Sequence, residues 1–201
     1  MKLPLSFYQT KDVEKIAKDL LGKFLYTKIN NNLTGGMIIE TEAYGGIYDK
    51  ASHAYNNRYT KRTSTMYEKG GISYIYLCYG IHYLFNIVTN KKNIPEAVLI
   101  RALIPTIGIK KGSINLTSGP ALLTKALKID KKLNGIFLNS NIIWLEDKKI
   151  KIKKEMISIT KRIGIDYAEE DADRPWRFFI KKPFIKNLLL NNINKKHKRY
   201  P

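Results

Sequence analysis

Two carboxylates one residue apart, Glu40 and Glu42, stand at the end of the apolar run Met37-Ile38-Ile39, and Tyr44 follows two residues later. Strand side chains alternate faces, so Glu40, Glu42 and Tyr44 share one face and Thr41 takes the other, until Gly45-Gly46 ends the regular structure. A carboxylate at a strand end, next to an aromatic ring and ahead of a loop carrying His53, is a candidate site for acid–base chemistry. The alternative is an edge strand whose acids sit in water. A second charge lies in the run Ala97-Val98-Leu99-Ile100-Arg101-Ala102-Leu103, which is otherwise of the buried-strand type. An unpaired buried charge is very costly, so Arg101 needs a partner, and Glu42 is available. An arginine reaching outward from an edge strand fits the same pattern.

The elements that must position these residues follow from periodicity and turn chemistry. Val13, Ile16, Ala17, Leu20 and Leu21 recur at helical spacing, with Thr10 as a candidate cap and Gly22 as a stop. Phe24 to Ile29 reads as a strand and Asn30-Asn31-Asn32 as a turn, so the Glu42 strand becomes the second arm of a hairpin. Residues 48–69 are polar and aperiodic. Their run Asn56-Asn57-Arg58-Tyr59-Thr60-Lys61-Arg62-Thr63 mixes cations, hydroxyls and amides in the way phosphate contacts require. Ser73 to Val88 predicts two strands joined near Gly80, with Tyr74 and Tyr76 on one face and Tyr79 at the exposed tip, where an aromatic ring can wedge between bases. Ser118-Gly119-Pro120 opens a helix through Leu127 whose free N–H groups could receive a phosphate. Asn139 to Leu145, Glu155 to Ile165 and Phe178 to Ile180 read as further strands. The end of the chain, from about residue 190 and most densely in Lys195 to Pro201, is a basic tail expected to fray.

Bulk properties narrow the partners. The 201 residues are enough for one domain with a sizeable core, and no internal repeat or linker divides them. Lys and Arg number 36 against 17 acids, a net charge of +19 that favours a polyanion, most simply nucleic acid, over a membrane. One cysteine, Cys78, and three scattered histidines offer neither a disulfide nor a zinc or iron–sulfur ligand set, so no metal is expected. With no signal-peptide core and no bilayer-spanning apolar run, an intracellular location is expected.

Taken together, Glu40-Thr41-Glu42-Ala43-Tyr44, Ala51-Ser52-His53, Tyr76 through Asn86, Leu99 to Leu103, Ser118-Gly119-Pro120 and Arg162-Ile163-Gly164 resemble, in order, the alkyladenine (3-methyladenine) DNA glycosylases. The resemblance runs from the first helix to about Phe179. It implies an α+β fold: a single mixed domain around a curved, mainly antiparallel sheet with a protruding β-hairpin. It also implies a cofactor-independent, monomeric base-excision repair enzyme that hydrolyses the N-glycosidic bond of damaged purines in double-stranded DNA without lyase activity. On that resemblance Glu42 activates the attacking water, and Arg101 and the main-chain carbonyl of Ile163 help hold it. Tyr44 stacks on one face of the flipped base, with His53 and Tyr76 on the other, and Asn86 obstructs the amine of normal guanine. Tyr79, on the same resemblance, enters the duplex; from residue types alone, Arg58, Thr60, Lys61, Arg62, Ser118 and Gly119 are candidate DNA contacts. Asn57 stands where many relatives carry glycine, and Asn also tolerates positive φ. A non-catalytic, basic nucleic-acid-binding domain would account for the charge and for Tyr79, but not for an acid and an arginine on buried-type strands.

Overall fold

A single 13-residue strand, β2 (Asn32–Tyr44), is the spine of the molecule because it pairs along both edges with different partners at its two ends. The structure, a computed structural model, describes residues 1–109, 114–185 and 188; the basic tail lies outside the described residues. Strand β1 (Phe24–Ile29) pairs with the first half of β2, from Ile29↔Asn32 to Phe24↔Met37. Asn30 and Asn31 close this hairpin at φ 49° and 61°, the left-handed region that Asn enters more readily than most residues. Gly36 is required where β2 meets the long strand β5 (Glu96–Ile107), because a Cβ there would lie 2.2 Å from the Ile104 carbonyl oxygen.

Strands β3 (Ser73–Cys78) and β4 (His82–Thr89) form the second hairpin, and β6 (Ile143–Glu146) closes the far edge, giving the order β3-β4-β5-β2-β1-β6. The short β7 (Ile157–Thr160) pairs with β8 (Arg177–Ile180), and β8 docks on the second half of β2 through Glu40↔Phe179, Thr41↔Phe178 and Glu42↔Arg177. All pairings are antiparallel. The result is a curled antiparallel sheet with a few helices, the α+β class expected.

Helix α1 (Val13–Asp19) lays Val13, Ile16 and Ala17 on one face of the sheet. Thr41 Oγ1 donates to the Ala17 carbonyl at 2.8 Å, so the residue between the two glutamates faces the helix and the core while the glutamates face away. The cap of α1 is Asp12, whose Oδ1 accepts the Lys15 N–H at 2.8 Å, rather than Thr10; the aspartate stands immediately before the first helical residue. Two strands are shorter than the periodicity suggests. Residues Asn139 to Ile142 turn before β6, and β7 stops at Thr160 instead of reaching Ile165. Burial of Arg162 and a left-handed Gly164 (φ 74°) take the chain out of the sheet there.

The second helix, α2 (Pro120–Ala126), begins as expected at Gly119. Residues 46–67 carry three short 3₁₀ turns, Gly46–Tyr48, Tyr55–Asn57 and Ser64–Tyr67, joined by irregular turns. Asn56 and Asn57 both sit at positive φ within them, so asparagine does supply the conformation otherwise given to glycine.

Candidate active site

The pairing of β2 with β5 is interrupted beside the two glutamates. Glu40 faces Ala102 and Thr41 faces Ile100, which leaves Arg101 as an extra, unpaired residue on β5. Such a bulge bends the strand and re-aims a side chain. Here it turns the Arg101 guanidinium over the β2 carboxylates: Nε donates to Glu40 Oε1 at 2.9 Å and Nη1 to Glu42 Oε2 at 3.2 Å. Arg177, arriving on β8, donates its Nε to the same Glu40 oxygen at 2.7 Å. The partner expected for Arg101 is therefore a pair of acids, and a second arginine completes an alternating row.

Glu42 is fully buried, with 0% of its side chain exposed. Its Oε1 accepts the backbone N–H of Ile163 at 2.9 Å, and its Oε2 accepts the Tyr44 hydroxyl at 3.0 Å as well as Arg101. Burial pushes the carboxyl above its usual range; the Arg101 cation, the Ile163 N–H and the Tyr44 hydroxyl each pull it back without cancelling the effect. Arg101 thus moderates the basicity of Glu42 but does not determine its direction. One of these three donors, Ile163, lies in the segment assigned to a strand by periodicity and found outside the sheet. Ile163 presents its N–H to Glu42, whereas the sequence resemblance draws attention to its carbonyl.

In front of these residues lies a cavity of about 450 Å³. Tyr44, His53, Tyr76, Asn86, Arg101 and Ile163 all line it, and Tyr79 borders it from the hairpin tip. Glu42 sits behind Tyr44, Arg101 and Ile163. Asn86 is held by a bond from its Nδ2 to the Tyr74 carbonyl at 3.2 Å, across the β3–β4 pairing. His53 Nδ1 lies 2.9 Å from the Tyr74 hydroxyl, and burial, with Arg62 and Arg58 nearby, lowers its pKa to about 4. The imidazole is therefore neutral at physiological pH and adds no positive charge to the wall. The rings of His53 and Tyr76 meet at 76° with centroids 4.5 Å apart, so one flat ligand can lie against only one of them and meets the other by its edge.

The polar loop divides. The Arg62 guanidinium lies 4.9 Å from the Tyr76 ring centroid and lines the cavity. Arg58 and Lys61 are exposed outside it, and the Thr60 hydroxyl is engaged with Thr63 inside its own turn, at 3.2 Å. Ser118 and Gly119 do not line the cavity; the next two residues, Pro120 and Ala121, do. Sequence reasoning passed over Tyr74, Arg177, Glu40 as a bridge, Tyr167 on the cavity rim, and the buried pair Asp49–Arg162. An acid one residue past an aromatic in an aperiodic loop is a weak signal, and only the cost of burying Arg162 could have suggested a partner.

The family model described as methylpurine-DNA glycosylase matches residues 6–183. The chain belongs to that family. Curated relatives carrying the provisional name 3-methyladenine DNA glycosylase agree. One from Chlamydia felis is 48% identical over 89% of this chain and 95% of its own length. One from Clostridium novyi is 45% identical over 90% and 95%, and one from Natranaerobius thermophilus 44% over 92% and 98%. The methylpurine-DNA glycosylase family places the chain among enzymes of DNA repair that act on damaged bases. Among the described residues no helix is long and apolar enough to cross a membrane.

Proposed function

We propose that this methylpurine-DNA glycosylase family member hydrolyses the N-glycosidic bond of alkylated or deaminated purines, including 3-methyladenine, 7-methylguanine, hypoxanthine and ethenoadenine, after flipping the nucleotide out of duplex DNA. The observation that carries this reading is Glu42: a buried carboxylate with a raised pKa, held by three donors behind an aromatic-walled cavity. A target base is unreachable inside the stack, and extrusion costs a few kcal/mol, of which aromatic stacking worth about 1–3 kcal/mol per base offsets much. Tyr44 takes one face of the purine; of His53 and Tyr76, one ring stacks on the other face and the second meets the base edge-on. A neutral His53 does not repel the positive charge that alkylation at N3 or N7 creates, while electron-rich rings favour it. Asn86, fixed by its bond to Tyr74, stands against the exocyclic amine of unmodified guanine.

In the chemical step the C1′–N bond breaks with its electron pair leaving on the purine, and a water attacks C1′ while passing a proton to Glu42. Arg101 and the Ile163 carbonyl, one peptide beyond the N–H that holds Glu42, orient that water. No step needs a metal or a lysine Schiff base, so the enzyme is monofunctional. It acts as a monomer inside the cell. Arg58, Thr60, Lys61, Arg62, Ser118 and Gly119 contact the DNA backbone, with Arg62 leaving the Tyr76 ring as the base enters. The test is single-turnover base release from duplex oligonucleotides carrying one hypoxanthine or one ethenoadenine, and from methylated DNA. Release without strand nicking is expected. A folded protein that binds these duplexes and frees no base would instead be a binding module.

Tyr79 fills the gap left by the flipped nucleotide. It is 89% exposed and sits at φ 50° beside Gly80 at φ 73°, with the Ile81 N–H returning to the Cys78 carbonyl at 3.2 Å. A non-glycine residue held left-handed costs about 1–2 kcal/mol, and such strain gathers at functional positions. Tyr79→Asn creates Asn-Gly, a preferred pair for a turn with two left-handed residues. The variant is expected to keep or raise Tm while base release falls about 5- to 150-fold, the loss of one base-stacking contact of about 1–3 kcal/mol. Unchanged release would remove Tyr79 from the DNA interface.

A further inference from the structure

We infer that the buried ion pair Asp49–Arg162 is the positioning device of the active site: it fixes the Ile163 N–H on Glu42 and the His53 loop on the same strand end. This inference rests on the glycosylase reading above. Both side chains are 0% exposed. Arg162 Nη1 donates to Asp49 Oδ2 at 2.6 Å and to the Ala43 carbonyl at 2.9 Å, and Nη2 to Asp49 Oδ1 at 2.8 Å and to the Asp171 carbonyl at 3.0 Å. Asp49 in turn accepts the N–H of Gly45 at 2.9 Å and of Ala51 at 3.0 Å.

These bonds join three separate pieces of the site. Ala43 and Gly45 flank Tyr44 at the end of β2, Ala51 begins the turn that carries His53, and Arg162 immediately precedes Ile163. The guanidinium also lies 4.8 Å from the Tyr44 ring and 5.2 Å from that of Trp176, so it sets the base-facing ring from behind. Well-packed apolar side chains often replace a buried ion pair without loss of stability, which makes stability alone a poor reason for this one. What apolar groups cannot do is fix four acceptors in a planar fork.

Arg162→Lys keeps the charge and loses the fork, since one ammonium cannot span two carboxylate oxygens and two carbonyls. Glu42 is faced by Arg101 from β5, by Glu40 and Tyr44 from its own strand, by Arg177 across the β2–β8 pairing, and by the Ile163 N–H and the Arg162 cation from the segment after β7. Of these, the substitution displaces the N–H while keeping the sign and number of the charges. Losing a hydrogen bond to the ionised form raises a carboxyl pKa, so the acid limb of the pH–rate profile should move up by about one pH unit. Misplacing the reacting groups should slow base release about 10–100-fold at neutral pH, with lesion-duplex affinity little changed.

Wild type and variant are compared for single-turnover release across pH, duplex affinity, and folded fraction by thermal melting, with Asp49→Asn, which retains one acceptor, as the second variant. A slowed rate with a shifted limb in either folded variant supports the inference. A wild-type limb, whatever the rate, assigns the pair a purely structural role, as does failure of both variants to fold. If the wild type itself releases no base, it is the glycosylase reading that falls, and the two failures are told apart by that control.

Discussion

Glu42→Gln is expected to lose about 10²–10⁴-fold in base release, the usual contribution of a positioned general base, while lesion-duplex affinity stays near that of the wild type. Gln preserves the volume of a fully buried side chain, and its carbonyl oxygen can still accept the Ile163 N–H. Its amide then faces Arg101 and the Tyr44 hydroxyl, which can turn to accept; Arg101 keeps Glu40. The sign of the pKa shift favours a folded variant. A carboxyl raised on folding stabilises the fold fully below its unfolded pKa, and that contribution is lost as pH rises through the folded value. Above its folded pKa the ionised Glu42 is therefore a burden that an uncharged amide does not carry. If Glu42 is the base, the same shift is expected to place the acid limb of the wild-type rate profile above the ordinary carboxylate value. A variant that keeps more than about a tenth of the wild-type rate would remove Glu42 as the base, being far outside the range for a general base.

Arg101→Gln should fail differently. Without the guanidinium, Glu42 loses the cation that opposes its burial and lies on one face with Glu40, which keeps Arg177. The Glu42 pKa rises further, so the acid limb of the rate profile moves up and release on that limb falls, recovering as pH is raised. No such recovery is expected for Glu42→Gln, and the contrast separates a residue that tunes the base from the base. Removing one partner of a largely buried pair also costs roughly 3 kcal/mol, visible as a lower Tm. An activity loss that is independent of pH would show that Arg101 works through the water or the DNA alone.

What local pattern encodes was legible in the sequence. Alternation put Thr41 on the helix side and both glutamates on the other, asparagine and glycine marked the hairpin turns, and Tyr79 fell on an exposed tip. The resemblance named Tyr44, His53, Tyr76, Asn86, Arg101 and Ile163, and the structure brings all of them around one cavity. What escaped depends on distant partners. No periodicity signals that Arg101 is an extra residue in its strand, because a bulge is defined by the register of the strand opposite. The early end of β7 has its cause in Asp49, more than a hundred residues away, and β8 reaches β2 across a similar distance. Tyr74 looked like core and is buried, but its hydroxyl turns to His53.

The alternating row Arg177–Glu40–Arg101–Glu42 has a consequence for how the enzyme meets its substrate. The row sets two guanidinium groups against two acids, so its field fades within a few ångströms, and the long-range attraction on DNA comes from the surface lysines and arginines behind the +19 charge. Added salt weakens the surface attraction by counterion competition but barely reaches the buried, closely paired row. On the proposed reading, search and bond cleavage are thereby uncoupled: salt should change the tightness of the grip on DNA while leaving single-turnover release from the bound complex the same.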